Sequence, residues 1–233
     1  MNFASPLVRG RLRRRYKRFL VDVELPDGVQ ITAHCPNTGA MTGCTEPGLE
    51  VWLSVSASTS RKYPHTLEVV CTSAGRVGVN TARANALVAE ALAAGGIPEL
   101  GGYDEVRREA AIPHDRGRFD FLLRGSGADC WLEVKSLTLW LGDGRGAFPD
   151  ARSDRALRHV EALARRSRAG DRAVLLFCVQ HTGVRFATPA DEVHPEYGSA
   201  LRAAAGDGVE VLAYGCRIEP DAVSLCQRLP VRL

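Results

Sequence analysis

Over the first eighty residues, apolar and polar positions alternate in short runs separated by breakers, the mark of half-buried strands. Residues 18–25 form one such run, Pro26-Asp27-Gly28 makes a turn, and 29–34 return as a second run. The segment Cys35-Pro36-Asn37-Thr38-Gly39-Ala40-Met41-Thr42-Gly43-Cys44 is dense in turn formers and reads as a loop. Residues 49–57, 66–71 and 76–79 supply three more strands. Five short strands in this span predict a small barrel of OB type, although strand count also fits an SH3-like barrel.

From Thr81 the period lengthens. Residues 82–94, rich in alanine and leucine and stopped by Gly95-Gly96, predict a helix. Residues 105–112, 118–124 and 129–135 follow as strands. Residues 150–169 predict a long basic helix that ends at Gly170, with Asp150 as its cap. The near-continuous apolar run 173–180 predicts a strand buried on both faces. A helix at 196–205 and a strand at 209–215 close the pattern. The chain therefore divides into a barrel, residues 1–80, and a mixed α/β domain, residues 81–233, of order α-β-β-β-α-β followed by α-β.

The strands around Gly125-Ser126-Gly127-Ala128 carry the candidate chemistry. A hairpin folded symmetrically about that turn sets Asp120 opposite Glu133, Phe121 opposite Leu132 and Phe119 opposite Val134. Side chains alternate along a strand, so Phe119, Phe121, Leu123, Cys130, Leu132 and Val134 are expected on one apolar face. Asp120, Trp131, Glu133 and Lys135 are expected on the other. Carboxylates facing each other repel, and a divalent cation with oxygen preference, Mg2+ or Mn2+, relieves that repulsion. Lys135, two residues beyond Glu133, is placed to act on an attacking water or a phosphate. This set matches metal-assisted phosphodiester hydrolysis, with Asp120, Glu133 and Lys135 catalytic. A structural ion-pair network would use the same residue types, and a one-residue slip would send Asp120 into the core. Glu90, on the preceding helix, is a candidate further metal ligand beside Asp120 and Glu133, and also a candidate solvated acid. Glu109 either lines the same sheet or is exposed.

Composition changes the picture in two places. Net charge is only +3, but seven of the first eighteen residues are basic, and a second cluster of arginines runs from Arg152 to Arg168. Such patches attract polyanions through counterion release. The expected phosphate or polyanion contacts are Arg13, Arg14, Arg15, Lys17 and Arg18, with Lys62 further along, and Arg155 and His159, one helical turn apart, from the second cluster. A solvated charged face is the alternative for each cluster. Only three lysines occur, Lys17, Lys62 and Lys135, so a retained ammonium suggests chemistry that a guanidinium serves poorly. Seven cysteines with no Cys-x-x-Cys pair fit reduced thiols rather than a disulfide or zinc framework. No apolar run is long enough for a bilayer and the basic N-terminus resembles no signal peptide, so a cytoplasmic protein without a membrane partner is expected. Three tryptophans and no aromatic platform give a sugar-binding module little support.

Several of these segments together resemble the sugar fermentation stimulation protein A (SfsA) family. They are Arg15-Tyr16-Lys17-Arg18-Phe19, His34 to Met41, Arg61-Lys62-Tyr63-Pro64-His65-Thr66, and Val79-Asn80-Thr81 with Asn85. Further on they are Arg118-Phe119-Asp120-Phe121, Glu133-Val134-Lys135-Ser136, Phe148-Pro149-Asp150-Ala151, Arg155 with His159, and Leu229-Pro230-Val231. The resemblance covers essentially the whole chain. It implies an N-terminal OB-like barrel and a PD-(D/E)xK nuclease-like α-β-β-β-α-β domain. It also implies binding of single- or double-stranded DNA and a link to regulation of sugar (maltose) utilisation genes. In that pattern the second-strand acid is Asp120, the Glu-x-Lys is Glu133 and Lys135, and the first-helix acid is Glu90. Ala156 and Arg158 depart from the glycine and lysine expected of the family. Whether the site cleaves, whether the chain forms a homodimer, and whether Asn37-Thr38-Gly39 is a turn or a phosphate cradle stay open in the sequence.

Overall fold

The computed structural model describes residues 1–113 and 117–233. The N-terminal part holds β1 (Val8–Tyr16), β2 (Leu20–Glu24), β3 (Gln30–His34), β4 (Glu50–Val55), β5 (His65–Thr72) and β6 (Gly75–Gly78). Strands pair in the order β3-β2-β1-β4-β5-β6, and a β3–β5 pairing closes five of them into a barrel. Its interior is filled by Leu12, Val21, Val23, Ala33, Val51, Leu53, Leu67, Val70 and Val77.

Strand β1 is not among the strands expected from the sequence. Its arginines hide the alternation, because Gly10 and Leu12 alone turn inward. The neighbouring strand supplies the compensating acids. Arg13 pairs with Glu24, and Arg14 with Asp22 at 2.8 Å. Opposite charges facing across strands are stabilising there.

The second part is a six-stranded sheet, order β15-β14-β12-β9-β8-β7. Its strands are β7 (Glu105–Ala111), β8 (Arg118–Arg124), β9 (Cys130–Leu137), β12 (Arg172–Val179), β14 (Glu210–Ile218) and β15 (Val223–Arg228). The apolar β12 runs parallel to both β9 and β14 at the centre, as its unbroken hydrophobic run demands. Helix α1 (Arg83–Ala93) covers one face with Ala84, Leu87, Val88 and Ala91. Helices α2 (Asp154–Arg168) and α3 (Pro195–Gly206) cover the other with Val160, Leu163, Tyr197 and Leu201. A small sheet of β10 (Leu139–Trp140), β11 (Arg145–Phe148) and β13 (Phe186–Pro189) was not anticipated, because two- and four-residue strands carry no readable period.

Helix α2 begins later than expected. Its cap is Ser153, whose hydroxyl accepts from the Ala156 N–H, and not Asp150. No helix among the described residues is long and apolar enough to cross a membrane.

The barrel and the sheet are joined by direct bonds. The buried Glu68 of β5 accepts from Ser54, Asn80 and Arg83, tying the barrel to the start of α1. The Gly78 N–H donates to the Gln180 carbonyl, and Arg76 reaches the Ile218 carbonyl and Glu219. Gly75 and Gly183 lie at this junction. A Cβ on Gly75 would sit 2.5 Å from the Thr182 hydroxyl, and one on Gly183 would sit 2.1 Å from the Ala74 carbonyl oxygen.

Candidate metal centre and the cleft around it

Strands β8 and β9 run together from the Leu123–Cys130 pair to the Phe121–Leu132 pair and then part. This is the register expected from the symmetric hairpin. At the parting, the carboxylate of Asp120 takes over from the backbone. Its Oδ2 accepts from the Val134 N–H at 2.7 Å, and its Oδ1 accepts from Asn85 of α1 at 2.6 Å. The alternation predicted for β8 breaks here. Phe121 packs toward α1, whereas Phe119 lies on the α2 side, against Trp131 and His159. Glu109, in the stretch of β7 beside Asp120, has a positive φ of 52°, a local irregularity that accompanies the turnover.

Glu133 meets Asp120 from the α2 side. It is 3% exposed. Its Oε1 receives Lys135 Nζ and His159 Nδ1, each at 2.5 Å. Its Oε2 is buried with no hydrogen-bond partner. A buried carboxylate oxygen without a partner costs free energy unless a ligand satisfies it. The electrostatics of the pair are unequal. Burial, then the charge of Glu133, pushes the Asp120 carboxyl up to about 6. Burial works in the same direction on Glu133, but the hydrogen bond from His159 and the charge of Lys135 outweigh it and hold that carboxyl below its ordinary value. At neutral pH both are therefore ionised, one of them unfavourably.

These groups lie in a cleft of about 510 Å³ between the two parts of the chain. One wall is the barrel loop Asn37-Thr38-Gly39 with Arg18. The floor is Asp120, Glu133, Lys135 and Ser136. The far wall is Asp150, Arg152 and Arg155 at the start of α2. The loop, whose role is open in the sequence, lies on the cleft wall. It is pinned by arginines. Arg15 donates to the carbonyls of Asn37 and Gly39 at 2.9 Å, and Arg18 donates to that of Thr38 at 2.7 Å. Gly39 abuts Asp150 so closely that a Cβ would lie 2.2 Å from its Oδ2.

The structure thus brings Asp120, Glu133, Lys135, His159 and Arg155 to one place and moves other candidates elsewhere. Glu90 is exposed and ion-paired with the Met1 amino group at 2.8 Å, so it does not join the carboxylates; Asn85 takes the position on α1 beside Asp120. His159 is buried against Glu133 rather than poised at the surface. Arg13 and Arg14 are neutralised by β2, and Arg15 and Arg18 hold the loop. Lys17 and Lys62 are exposed, the latter 5.4 Å from the centroid of the Tyr63 ring. Glu109 is exposed and outside the cleft. Sequence reasoning missed Asn85 and Asp150 as cleft residues, although each stood in a quoted motif.

The donor set fits a hard divalent cation. Two carboxylates, one with an unsatisfied oxygen, suit Mg2+ or Mn2+, which keep several waters. Among the described residues no cluster of three or more His, Cys, Asp or Glu side chains suits a metal.

Comparison with known proteins agrees with this architecture. Residues 82–222 match the family model described as the sugar fermentation stimulation protein RE domain, and residues 14–79 match the SfsA N-terminal OB domain. Curated relatives called sugar fermentation stimulation protein homologues align end to end. One from Pseudoalteromonas atlantica is 49% identical, covering 99% of both chains. One from Pseudomonas putida is 50% identical over 100% of this chain and 99% of its own. A solved structure, described as Pyrococcus furiosus SfsA in complex with Ca2+, superposes with a TM-score of 0.89 at 25% identity, covering 99% of this chain and 98% of that one.

Proposed function

The chain belongs to the sugar fermentation stimulation protein (SfsA) family, and from that premise and the geometry of the cleft we propose that it is a divalent-metal-dependent phosphodiesterase acting on DNA strands. The observation that carries the reading is the buried, partnerless Oε2 of Glu133 beside the strained carboxylate of Asp120. Asp120 and Glu133 would hold the cation, Mg2+ or Mn2+. The Ca2+ of the Pyrococcus furiosus structure, a hard oxygen-seeking ion, is of the same chemical kind. A cation there supplies charge neutralisation for a phosphate oxygen and lowers the pKa of water.

The remaining chemistry belongs to the side chains. Hydrolysis adds water across a P–O bond: the water oxygen bonds to phosphorus, and the departing oxygen leaves with a proton. Lys135 Nζ, a donor held at 2.5 Å by Glu133, is the cleft group suited to orient that water or to stabilise charge on the phosphate. His159 fixes Glu133 Oε1 from below, which leaves Oε2 as the free ligand atom. Asn85 and the Val134 N–H fix Asp120 in the same way. Arg155 supplies a positive wall for the strand.

The test is incubation of single- and double-stranded DNA with Mg2+ or Mn2+, comparing the natural protein with Asp120→Ala and Lys135→Ala. Metal-dependent cleavage lost in both variants supports the reading; cleavage that survives both refutes it. DNA binding without cleavage, coupled to control of sugar-utilisation genes, is the second reading. The unpaired cations around the start of α2 favour it, and it predicts salt-sensitive binding with no cleavage in any metal.

A further inference from the structure

Many arginines in this protein face a carboxylate. Arg76 pairs with Glu219, Arg83 with Glu68, Arg145 with Glu192, Arg152 with Glu196, Arg168 with Asp207, Arg172 with Glu210 and Arg202 with Asp191. Arg118, Arg155 and Arg158 are not among these. Among the described residues none of them has a carboxylate within ion-pair distance, and none makes a hydrogen bond. The three converge. Together with Ile112, Gly117, His159 and Ala162 they line a cavity of about 230 Å³, separate from the carboxylate cleft. Arg155 and Arg158, i and i+3 on α2, share a helical face, and Arg118 comes from the start of β8.

Three arginines lining one hollow gather positive charge that an anion seated there would offset. Their planar forks suit the oxygens of a phosphate group. The position of the hollow identifies the source of that phosphate. Arg155 lines both this cavity and the carboxylate cleft, and His159 forms part of the partition, facing the cavity while bonding Glu133 through Nδ1. A phosphate seated here is therefore a neighbour of the phosphate at Asp120 and Glu133.

We propose that Arg118, Arg155 and Arg158 form a second phosphate site that grips the same nucleic-acid strand next to the scissile position. The inference rests on the nucleic-acid reading above and extends it from where the strand is cut to how it is registered. The phosphate belongs either to an internal linkage or to a strand terminus. A terminal phosphate would make the hollow a measuring device that sets the cut at a fixed distance from an end.

The experiment is fluorescence anisotropy in EDTA, where neither metal nor cleavage contributes. Labelled single strands carry a 5′-phosphate, a 3′-phosphate or no terminal phosphate. Arg118→Ala and Arg158→Ala are each expected to weaken binding about tenfold and to lower the log–log salt slope by about one. A loss confined to one phosphorylated strand identifies a terminal phosphate, and an equal loss on all strands identifies an internal linkage; both support the proposal. Variants that bind every strand with the natural affinity and slope overturn it. Thermal melting with inorganic phosphate provides a second reading: phosphate raises the melting temperature of the natural protein and not that of the double variant. That shift with no oligonucleotide binding would keep the anion site and remove the nucleic-acid reading. An effect on binding with no cleavage in any metal would remove only the enzymatic one.

Discussion

Asp120→Asn tests the electrostatic argument most directly, because it should stabilise the metal-free protein while destroying its function. The Asp120 carboxyl, ordinarily at 3.8, is pushed up to about 6 by burial and by Glu133. The folded state thus binds that proton more tightly than the unfolded chain does. Stability from this group is complete below pH 3.8 and is lost as pH rises through about 6. At about 1.4 kcal/mol per tenfold change in proton affinity, the ionised form costs the fold roughly 3 kcal/mol at pH 7.5. Asparagine removes that cost. It also loses something, since one amide oxygen cannot accept from both Asn85 and the Val134 N–H, a loss of about 1–2 kcal/mol. The variant should therefore gain about 1–2 kcal/mol, or roughly 2–8 °C in melting temperature for a chain of this size.

The assay is melting followed by circular dichroism in EDTA, from pH 4.5 to pH 7.5. Near pH 4.5 the charge penalty shrinks to about 1 kcal/mol and the variant's advantage should vanish. Saturating Mg2+ or Mn2+ should reverse the order at pH 7.5, since a ligand at a hundred times its dissociation constant stabilises by about 2.7 kcal/mol and the variant lacks the ligand atom. A variant less stable than the natural protein at pH 7.5 without metal would falsify the view that these carboxylates are held together under strain.

Other substitutions probe the walls of the cleft. Lys135→Ala removes the ammonium at Glu133 and should lower cleavage about a hundredfold or more, with a much smaller effect on DNA affinity in EDTA. Gly39→Ala places a Cβ 2.2 Å from Asp150 Oδ2, so either the Asp150 side chain or the loop must shift; melting should fall by the equivalent of about 1–3 kcal/mol and cleavage should fall with it. Arg15→Ala frees the Asn37 and Gly39 carbonyls and should cost about 2 kcal/mol while leaving the salt slope of DNA binding unchanged, whereas a true phosphate contact would lower it by about one. Ser153→Ala should destabilise by about 1 kcal/mol through loss of the α2 cap, whereas Asp150→Ala should leave the helix intact.

What was legible in the sequence follows from the range of each interaction. The hairpin register could be read because a short turn fixes it, and it placed Phe121 against Leu132 correctly. The alternation failed two positions before Phe121, at Phe119. The parting of β8 from β9 and the irregularity at Glu109 come from neighbouring strands, and no periodicity within β8 records them. Helix α1 was visible, but not which of its polar residues meets Asp120. Asn85 and Glu90 are five positions apart on α1, and only the docking of the helix decides between them. The role of Asn37-Thr38-Gly39 was hidden for the same reason, since its partner Asp150 lies more than a hundred residues away.

The arginines make the same point in terms of charge. A count of basic residues offers two clusters, the N-terminal run and α2, and does not separate them. Where the acids lie does. Asp22 and Glu24 sit on the next strand, in cross-strand reach of Arg14 and Arg13, and the loop carbonyls absorb Arg15 and Arg18. That run spends its charge on building the barrel and holding one wall of the cleft. The sparser set of Arg118, Arg155 and Arg158 keeps its charge, because among the described residues no carboxylate comes within ion-pair distance of it, Asp154 and Glu161 of α2 included. A net charge of +3 therefore gives no broad basic face. It leaves unpaired cations beside two carboxylates that repel each other; on the proposed reading, an anionic strand and a divalent cation would each lower the cost of binding the other.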